Sequence, residues 1–225
     1  MISGRTRLVA LLGHPVESSL SPVMQNAAFA ARGLDWAYVA CDVPPANFEA
    51  AVRGLAAAGF AGANVTTPHK EAAAALADTE LESVNTLVFE GDRILGHSTD
   101  AAILAGLQSE RPVIIGDGGA ARAFREALPK ARVFSRRGDW PPDVAEADLV
   151  VNATSERDEV VVEVGPGQTL VDLPYPETAT AAAAQGPNVV TGLEVLVAQG
   201  AASFELWTGE PAPVEVMRRA VGLSA

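Results

Sequence analysis

The sequence predicts an α/β protein in two parts, and three observations lead there. Short apolar runs alternate with Ala-rich amphipathic stretches along the whole chain of 225 residues. Hydrophobic residues make up 48% and aromatics only 5%. That mix suits buried strands covered by Ala-rich helices. The pattern then restarts near Ser109-Glu110-Arg111-Pro112 with an apolar run that ends in a glycine turn.

Taken in order, residues 7–12 read as a strand and 21–32 as a helix, with Ser21 as N-cap and Pro22 at the first helical position. Residues 36–41 form a strand, 46–58 a helix, 62–65 a short strand and 68–76 a helix that Thr67 would cap. Residues 84–89 and 93–96 read as a hairpin around Glu90-Gly91-Asp92. Helical pattern returns over 99–107. After the boundary come strand 113–115, helix 120–128, and strands 132–134, 149–151, 169–173 and 189–190. The tail is helical over 193–207 and 214–221. Strands separated by helical or loop crossovers argue for parallel sheets.

The formal net charge is −12, a field that repels polyanions, so no nucleic-acid partner is expected. Any anion site has to be built from local cations and backbone N–H groups. One cysteine, Cys41, excludes an internal disulfide and fits a reducing, cytoplasmic setting. The N-terminus lacks a signal pattern. No apolar stretch approaches the roughly 18 residues that a membrane span needs. His14, His69 and His97 have no ligand-like spacing, so no metal is expected.

Val113-Ile114-Ile115-Gly116-Asp117-Gly118-Gly119-Ala120-Ala121-Arg122 reads as strand, glycine turn and helix start. Glycines let the backbone approach a pyrophosphate, whose charge then sits on the helix N-terminus. Ala121 serves as the small third residue of the turn. The next strand ends in Ser135-Arg136-Arg137, where an acid would select NAD. Paired arginines suit a 2′-phosphate instead, hence NADP. The second part is therefore Rossmann-like, spanning 109–192. Residues 1–108 form an α/β part that the helices of 193–225 complete by packing back on it.

Four polar clusters mark strand ends and helix starts in the first part: 13–22, 64–70, 83–86 and 96–100. Ligands of open α/β sheets bind beyond such strand ends. Lys70 falls in the first turn of a helix, where the dipole disfavours a cation. A placement that costs stability hints at proton transfer.

The order S-x-S-P at 19–22, N-V-T-x-P-x-K at 64–70, V-N-T at 84–86 and T-D at 99–100 is followed by G-x-G-G-A-A-R at 116–122. N-A-T-S at 152–155 and G-L-x-x-L-x-x-Q at 192–199 complete it. Nearly end to end, this pattern resembles the shikimate dehydrogenase family. The resemblance implies reversible, NADP-dependent reduction of 3-dehydroshikimate to shikimate in a monomer or homodimer. It implies that Ser19 and Ser21 hold the substrate carboxylate near Tyr175. Asn64, Thr66, Asn85 and Gln199 would bond the hydroxyls, and Lys70 and Asp100 would form the catalytic pair. Gly116, Gly118, Gly119 and Ala120 would cradle the pyrophosphate. Ser135 and Arg136 would grip the adenosine phosphate, with Thr154 and Gly192 as further cofactor contacts.

The chemistry agrees. A polyol acid needs hydroxyl and amide partners more than apolar walls. Hydride arriving at a ketone leaves an alkoxide that a lysine can protonate, without a metal.

The family pattern is broken at several positions. Asp117 replaces an alanine inside the phosphate turn. Glu17 and Ser18 replace a segment ending in histidine, Gln25 another histidine, and Ser98 an asparagine. Val195 stands where methionine is common, beside Glu194. The connections at 78–82 and 137–152 are short. Two other readings stay open: a cofactor-impaired relative that binds shikimate-like ligands, and a dehydrogenase of quinate or another cyclic polyol.

Overall fold

The computed structural model describes residues 2–184 and 188–224. The chain forms two units, one of Met1–Thr99 with Val197–Ala225 and one of Asp100–Leu196. The crossings fall at 99/100 and 196/197 rather than at the expected 108/109 and 192/193. The reason is apolar. Ala101, Ile103, Leu104, Leu107 and Val195 pack against the Ile114, Phe124 and Val151 core of the second unit.

The first unit is built on strands β1 (Arg7–Gly13), β2 (Trp36–Asp42), β3 (Gly62–Val65), β4 (Thr86–Glu90) and β5 (Arg93–His97). Their order is β2-β1-β3-β4-β5. The first three are mutually parallel, while β4 and β5 run antiparallel. The sheet is thus mixed rather than purely parallel. The hairpin turn at Gly91, with φ of +60°, reverses the chain where a helical crossover would have kept its direction.

Alternation along the strands sends Ala10, Leu12, Ala63, Val65 and Leu87 into one core, with Phe48 and Val52 of α2 (Phe48–Ala57) and Ala73 of α3 (Lys70–Leu76). Val9 and Leu11, of the other parity, are also fully enclosed, as expected when both faces of a sheet are covered. Helices α1 (Ser21–Ala31) and α7 (Val214–Ala220) belong to this unit, as does α6 (Gly192–Thr208) from Val197 onward. Phe29 and Phe204 stack at 5.4 Å. Trp207 Nε1 donates to Leu87 O at 3.0 Å. A Cβ on Gly62 would lie 2.5 Å from that indole nitrogen, so the strand needs a glycine to admit the tryptophan.

The second unit has five strands in the order β10-β9-β8-β6-β7: β6 (Pro112–Ile115), β7 (Arg132–Phe134), β8 (Leu149–Asn152), β9 (Thr169–Asp172) and β10 (Val189–Val190). All pairs are parallel. Helix α4 (Gly119–Ala127) covers one face through Ala121 and Phe124. The other face is covered by the extended run Val161, Val162 and Val164. The connection from β7 to β8 contains no helix. A Rossmann-like sheet is thereby built in a short chain. Helix α5 (Ala179–Ala183) follows β9.

Candidate active site

Strand register gathers the clusters of the first unit at one sheet edge. Leu11 pairs with Asn64, Asn64 with Thr86, and Thr86 with His97. Because β4 is antiparallel to β3, its beginning lies beside the end of β3. The four clusters, scattered over a hundred residues, therefore open from neighbouring strand termini.

Ser21 is the first residue of α1 and not its N-cap; Leu20 takes the cap position and makes no side-chain cap bond. Ser19 Oγ instead accepts from the Ser21 amide at 3.2 Å. The expected capping role fails because the helix begins one residue early, and the Ser21 hydroxyl is not used for capping. Helix α3 likewise begins at Lys70, with His69 at the cap position. Pro68 lies in the turn before it, where the His69 amide donates to Thr66 O at 3.0 Å. Lys70 is thus the first helical residue, and its carbonyl accepts from Val84 N at 3.0 Å.

The first and second clusters interlock. The His14 amide donates to Thr67 O at 3.0 Å, and the Thr66 amide to Leu12 O at 2.9 Å. A Cβ on Gly13 would meet Thr66 Cγ2 at 2.4 Å, so the glycine there makes room for the threonine methyl.

Asn64 and Asn85 are buried, 6% and 2% exposed, and both carboxamides are engaged by the protein. Tyr38 OH donates to Asn64 Oδ1 at 2.9 Å. Asn64 Nδ2 lies within 3.1 Å of Thr86 Oγ1, Ser203 Oγ and Asn85 O. Asn85 Oδ1 accepts from the Thr99 amide at 2.7 Å. Asn85 Nδ2 donates to Thr99 Oγ1 at 2.9 Å and to Gln199 Oε1 at 3.1 Å. That last bond fixes the Gln199 amide with its Nε2 donors turned from Asn85.

Tyr38 and Ser203 were not singled out from sequence, and Thr86 entered only as the last residue of the V-N-T motif. Ser203 lies four residues after Gln199 on α6 and donates to its carbonyl at 2.9 Å, so the shared face was readable; its distant partners Asn64 and Thr86 were not. Gln25, fully buried, donates to Gly200 O at 2.8 Å and so ties α1 to the same stretch of α6.

In the second unit all strand ends lie at one edge, and the glycine turn follows β6 there. Gly116 has φ of +128°, and a Cβ on it would come within 2.9 Å of Ala153 O. Only glycine fits both conditions. Gly118 precedes the first helical residue, Gly119, and a Cβ on it would meet nothing within 4 Å. Ala120 follows in the first turn, and Ala121 is 3% exposed against the sheet.

The Ile115–Phe134 pairing sets the glycine turn beside Ser135. Ser135 closes a tight loop, its amide donating to Asp139 O at 3.2 Å. Arg137 Nη1 is 3.7 Å from Asp117 Oδ2. Arg136 Nη2 is 3.7 Å from Glu159 Oε2, with its guanidinium over the Trp140 ring at 5.6 Å. All four charged side chains are at least 47% exposed.

Asn152, at the end of β8, donates through Nδ2 to Asp172 Oδ1 at 2.6 Å. Its Oδ1 accepts from Thr154 N and Thr154 Oγ1 at 3.2 and 2.8 Å. The Thr178 hydroxyl donates to the other Asp172 oxygen. Burial pushes the Asp172 carboxyl above the ordinary carboxylate range, against the lowering effect of the Thr178 and Asn152 hydrogen bonds.

Asp100, which is buried, and Tyr175 belong to the second unit. Tyr175 lies in the loop after β9, its carbonyl accepting from Arg157 at 3.3 Å. Gly192 has a packing reason: a Cβ there would lie 2.4 Å from Leu173 O and Pro174 O. Glu194 accepts from the Thr191 amide at 2.8 Å and Thr191 Oγ1 lies 3.4 Å from the Glu194 amide, a capping box that starts α6. Among the described residues no group of three His, Cys, Asp or Glu side chains could hold a metal, and no helix is long and apolar enough to cross a membrane.

The family model for the shikimate dehydrogenase substrate binding domain matches residues 11–87. The model for the shikimate 5′-dehydrogenase C-terminal domain matches 192–221. The chain is 40% identical to the NADP(+) shikimate dehydrogenase of Moorella thermoacetica, over 100% of this chain and 97% of that one. The chain belongs to the shikimate dehydrogenase family. Its structure is similar to that of a shikimate dehydrogenase in complex with NADP+, with a TM-score of 0.85 and 30% identity over 98% of this chain and 96% of that one. It is also similar to shikimate 5-dehydrogenase of Thermus thermophilus in complex with NADP(H) and shikimate, with a TM-score of 0.79 and 32% identity over 96% and 98% of the two chains. The Moorella alignment runs over 285 positions for a chain of 225 residues. The alignment of this shikimate dehydrogenase family member therefore carries gaps on its side.

Proposed function

We propose that the chain is an NADP-dependent oxidoreductase interconverting 3-dehydroshikimate and shikimate. The observation that carries this reading is the buried amide and hydroxyl frame of the first unit, in a chain related over its full length to enzymes of that name.

The second unit fits the cofactor. Gly116 is held at a φ that favours glycine, open space surrounds the missing Cβ of Gly118, and a helix starts directly after. Two arginines follow the neighbouring strand. Gly116, Gly118, Gly119 and Ala120 would face the pyrophosphate, and Ser135 and Arg136 the adenosine phosphate. Thr154 and Gly192 complete the cofactor set. Bound NADPH supplies the hydride.

The residues of the chain do the rest. Ser19 and Ser21 hold the substrate carboxylate, with Tyr175 as a further contact. Thr66 and Gln199 bond ring hydroxyls. Asn85, which donates to Gln199, holds that amide in place, and Asn64 braces the frame through Thr86 and Ser203. Lys70 donates the proton to the ketone oxygen, and Asp100 is its partner in the acid–base pair. Asp100 directly follows Thr99, whose amide Asn85 fixes.

The net charge of −12 supports a partner set without nucleic acid, and we place the protein in the cytoplasm as a monomer or homodimer. The test is NADPH formation by the purified protein with shikimate and with quinate. Faster turnover of shikimate is expected. Turnover of quinate alone, or of neither, overturns the assignment.

A further inference from the structure

We infer that Asp172 is a positioning residue for the cofactor turn, acting through Asn152 and the Ala153–Thr154 backbone against which Gly116 packs. The inference rests on the cofactor assignment above and assigns a residue that touches no ligand.

The path is continuous. Asn152 and Asp172 pair in register on neighbouring parallel strands. The Asp172 carboxylate accepts from Asn152 Nδ2 at 2.6 Å and from the Thr178 hydroxyl. This fixes the Asn152 carboxamide, whose oxygen is thereby turned to the Thr154 amide and hydroxyl. Such a side-chain turn sets the backbone of the two residues after it. Ala153, between them, donates to Ile115 O at 2.8 Å. The Ala153 carbonyl lies 2.9 Å from where a Gly116 Cβ would be. Nothing soft separates the loop from the glycine turn. Displacing it displaces the backbone meant for the pyrophosphate.

Burial makes the clamp stiff. Asp172 is 1% exposed and Asn152 0%, so water cannot replace a lost partner at low cost. Thr178 also caps α5, accepting from the Ala181 amide at 3.0 Å, which anchors the far side.

The test compares wild type, Asp172→Ala, Asp172→Asn and Thr178→Val by calorimetric titration with NADP and, separately, with shikimate. Asp172→Ala is expected to weaken NADP roughly tenfold or more, with the shikimate Kd within about twofold. Asp172→Asn keeps an acceptor for Asn152 and should restore most of the NADP affinity. Thr178→Val should show the same selectivity at smaller size, and it carries the test if Asp172→Ala does not fold. NADP binding by wild type with an unchanged NADP Kd in the variants overturns the clamp alone. Equal weakening of both ligands overturns it as well. Failure of wild type to bind NADP overturns the cofactor assignment and the clamp together.

Discussion

The charges around the glycine turn of the second unit are held in the opposite way to the polar frame of the first, although the second unit also buries the Asn152–Asp172–Thr178 cluster. In the first, Asn64, Asn85, Thr86, Thr99 and Ser203 are buried and bonded to one another at 2.7–3.3 Å. In the second, Asp117, Arg136, Arg137 and Glu159 are exposed and meet in loose pairs at 3.7 Å. A buried network fixes one arrangement, because breaking any bond leaves an unsatisfied group. Exposed pairs contribute little and rearrange easily. The substrate side is therefore preformed by packing. On the proposed assignment, the cofactor side would meet its ligand with these charges already partnered, and binding would have to exchange those partners.

That contrast can be broken at several points. Lys70→Ala should lower turnover about 10²–10⁴-fold, the usual reach of a positioned acid or base. Shikimate binding should weaken far less, because a group that moves the proton in the transition state acts mainly on turnover. Steady-state kinetics with a shikimate titration would check both, and near-normal turnover would sink the assignment of Lys70. Asn64→Ala removes one buried hydrogen bond each from Tyr38, Thr86 and Ser203. It should lower the unfolding free energy by about 2–4 kcal/mol, measured by urea denaturation. A loss below half of that would mean the frame is wetter and looser than its hydrogen bonds imply.

The smallest effect concerns an acid just before β8, at the opposite end of that strand from Asn152. Asp148 is pushed up by burial, but the Ser109 hydroxyl and the Glu110 and Arg111 amides outweigh this and hold its carboxyl below the ordinary range. A depressed native pKa gives stability that is present above the unfolded value and lost as pH falls through the native one. Asp148→Asn should therefore cost about 1 kcal/mol near neutral pH. The difference from wild type should shrink as pH drops below about 4. NADP affinity should not change; a change would tie this strand entrance to the cofactor edge.

The sequence carried the elements better than their partners. Apolar runs such as Leu8 to Leu12 and Leu149 to Val151 located the strands, because a buried strand must be apolar on both faces. The hairpin turn was legible at Gly91. Its consequence, a mixed sheet that brings Asn85 beside Asn64, depends on register, and register is a non-local property. The Ser21 cap failed because Ser-Pro fits both the cap and the first turn, and local preference cannot choose between them. The roles of Tyr38 and Ser203 were not readable, since their partners lie 26 and 139 residues from them. The capping box of Thr191 and Glu194 was purely local and could have been read from the T-x-x-E spacing.

Asp117 shows the same divide. The nearest cation along the chain is Arg122. The counterion of Asp117 in the structure includes Arg137, brought close because β6 and β7 are neighbours. The claim that the cofactor edge is held by exchangeable charges is tested most directly here. Wild type and Asp117→Ala should be titrated with NADP at a low and a high salt concentration. A carboxylate about 6 Å from a phosphate, at an effective dielectric of about 20 and partly screened, costs roughly 1–2 kcal/mol, or ~5–30-fold in affinity. The account expects the variant to bind more tightly at low salt, with the gap closing as salt rises. Equal affinities at both salts would contradict it.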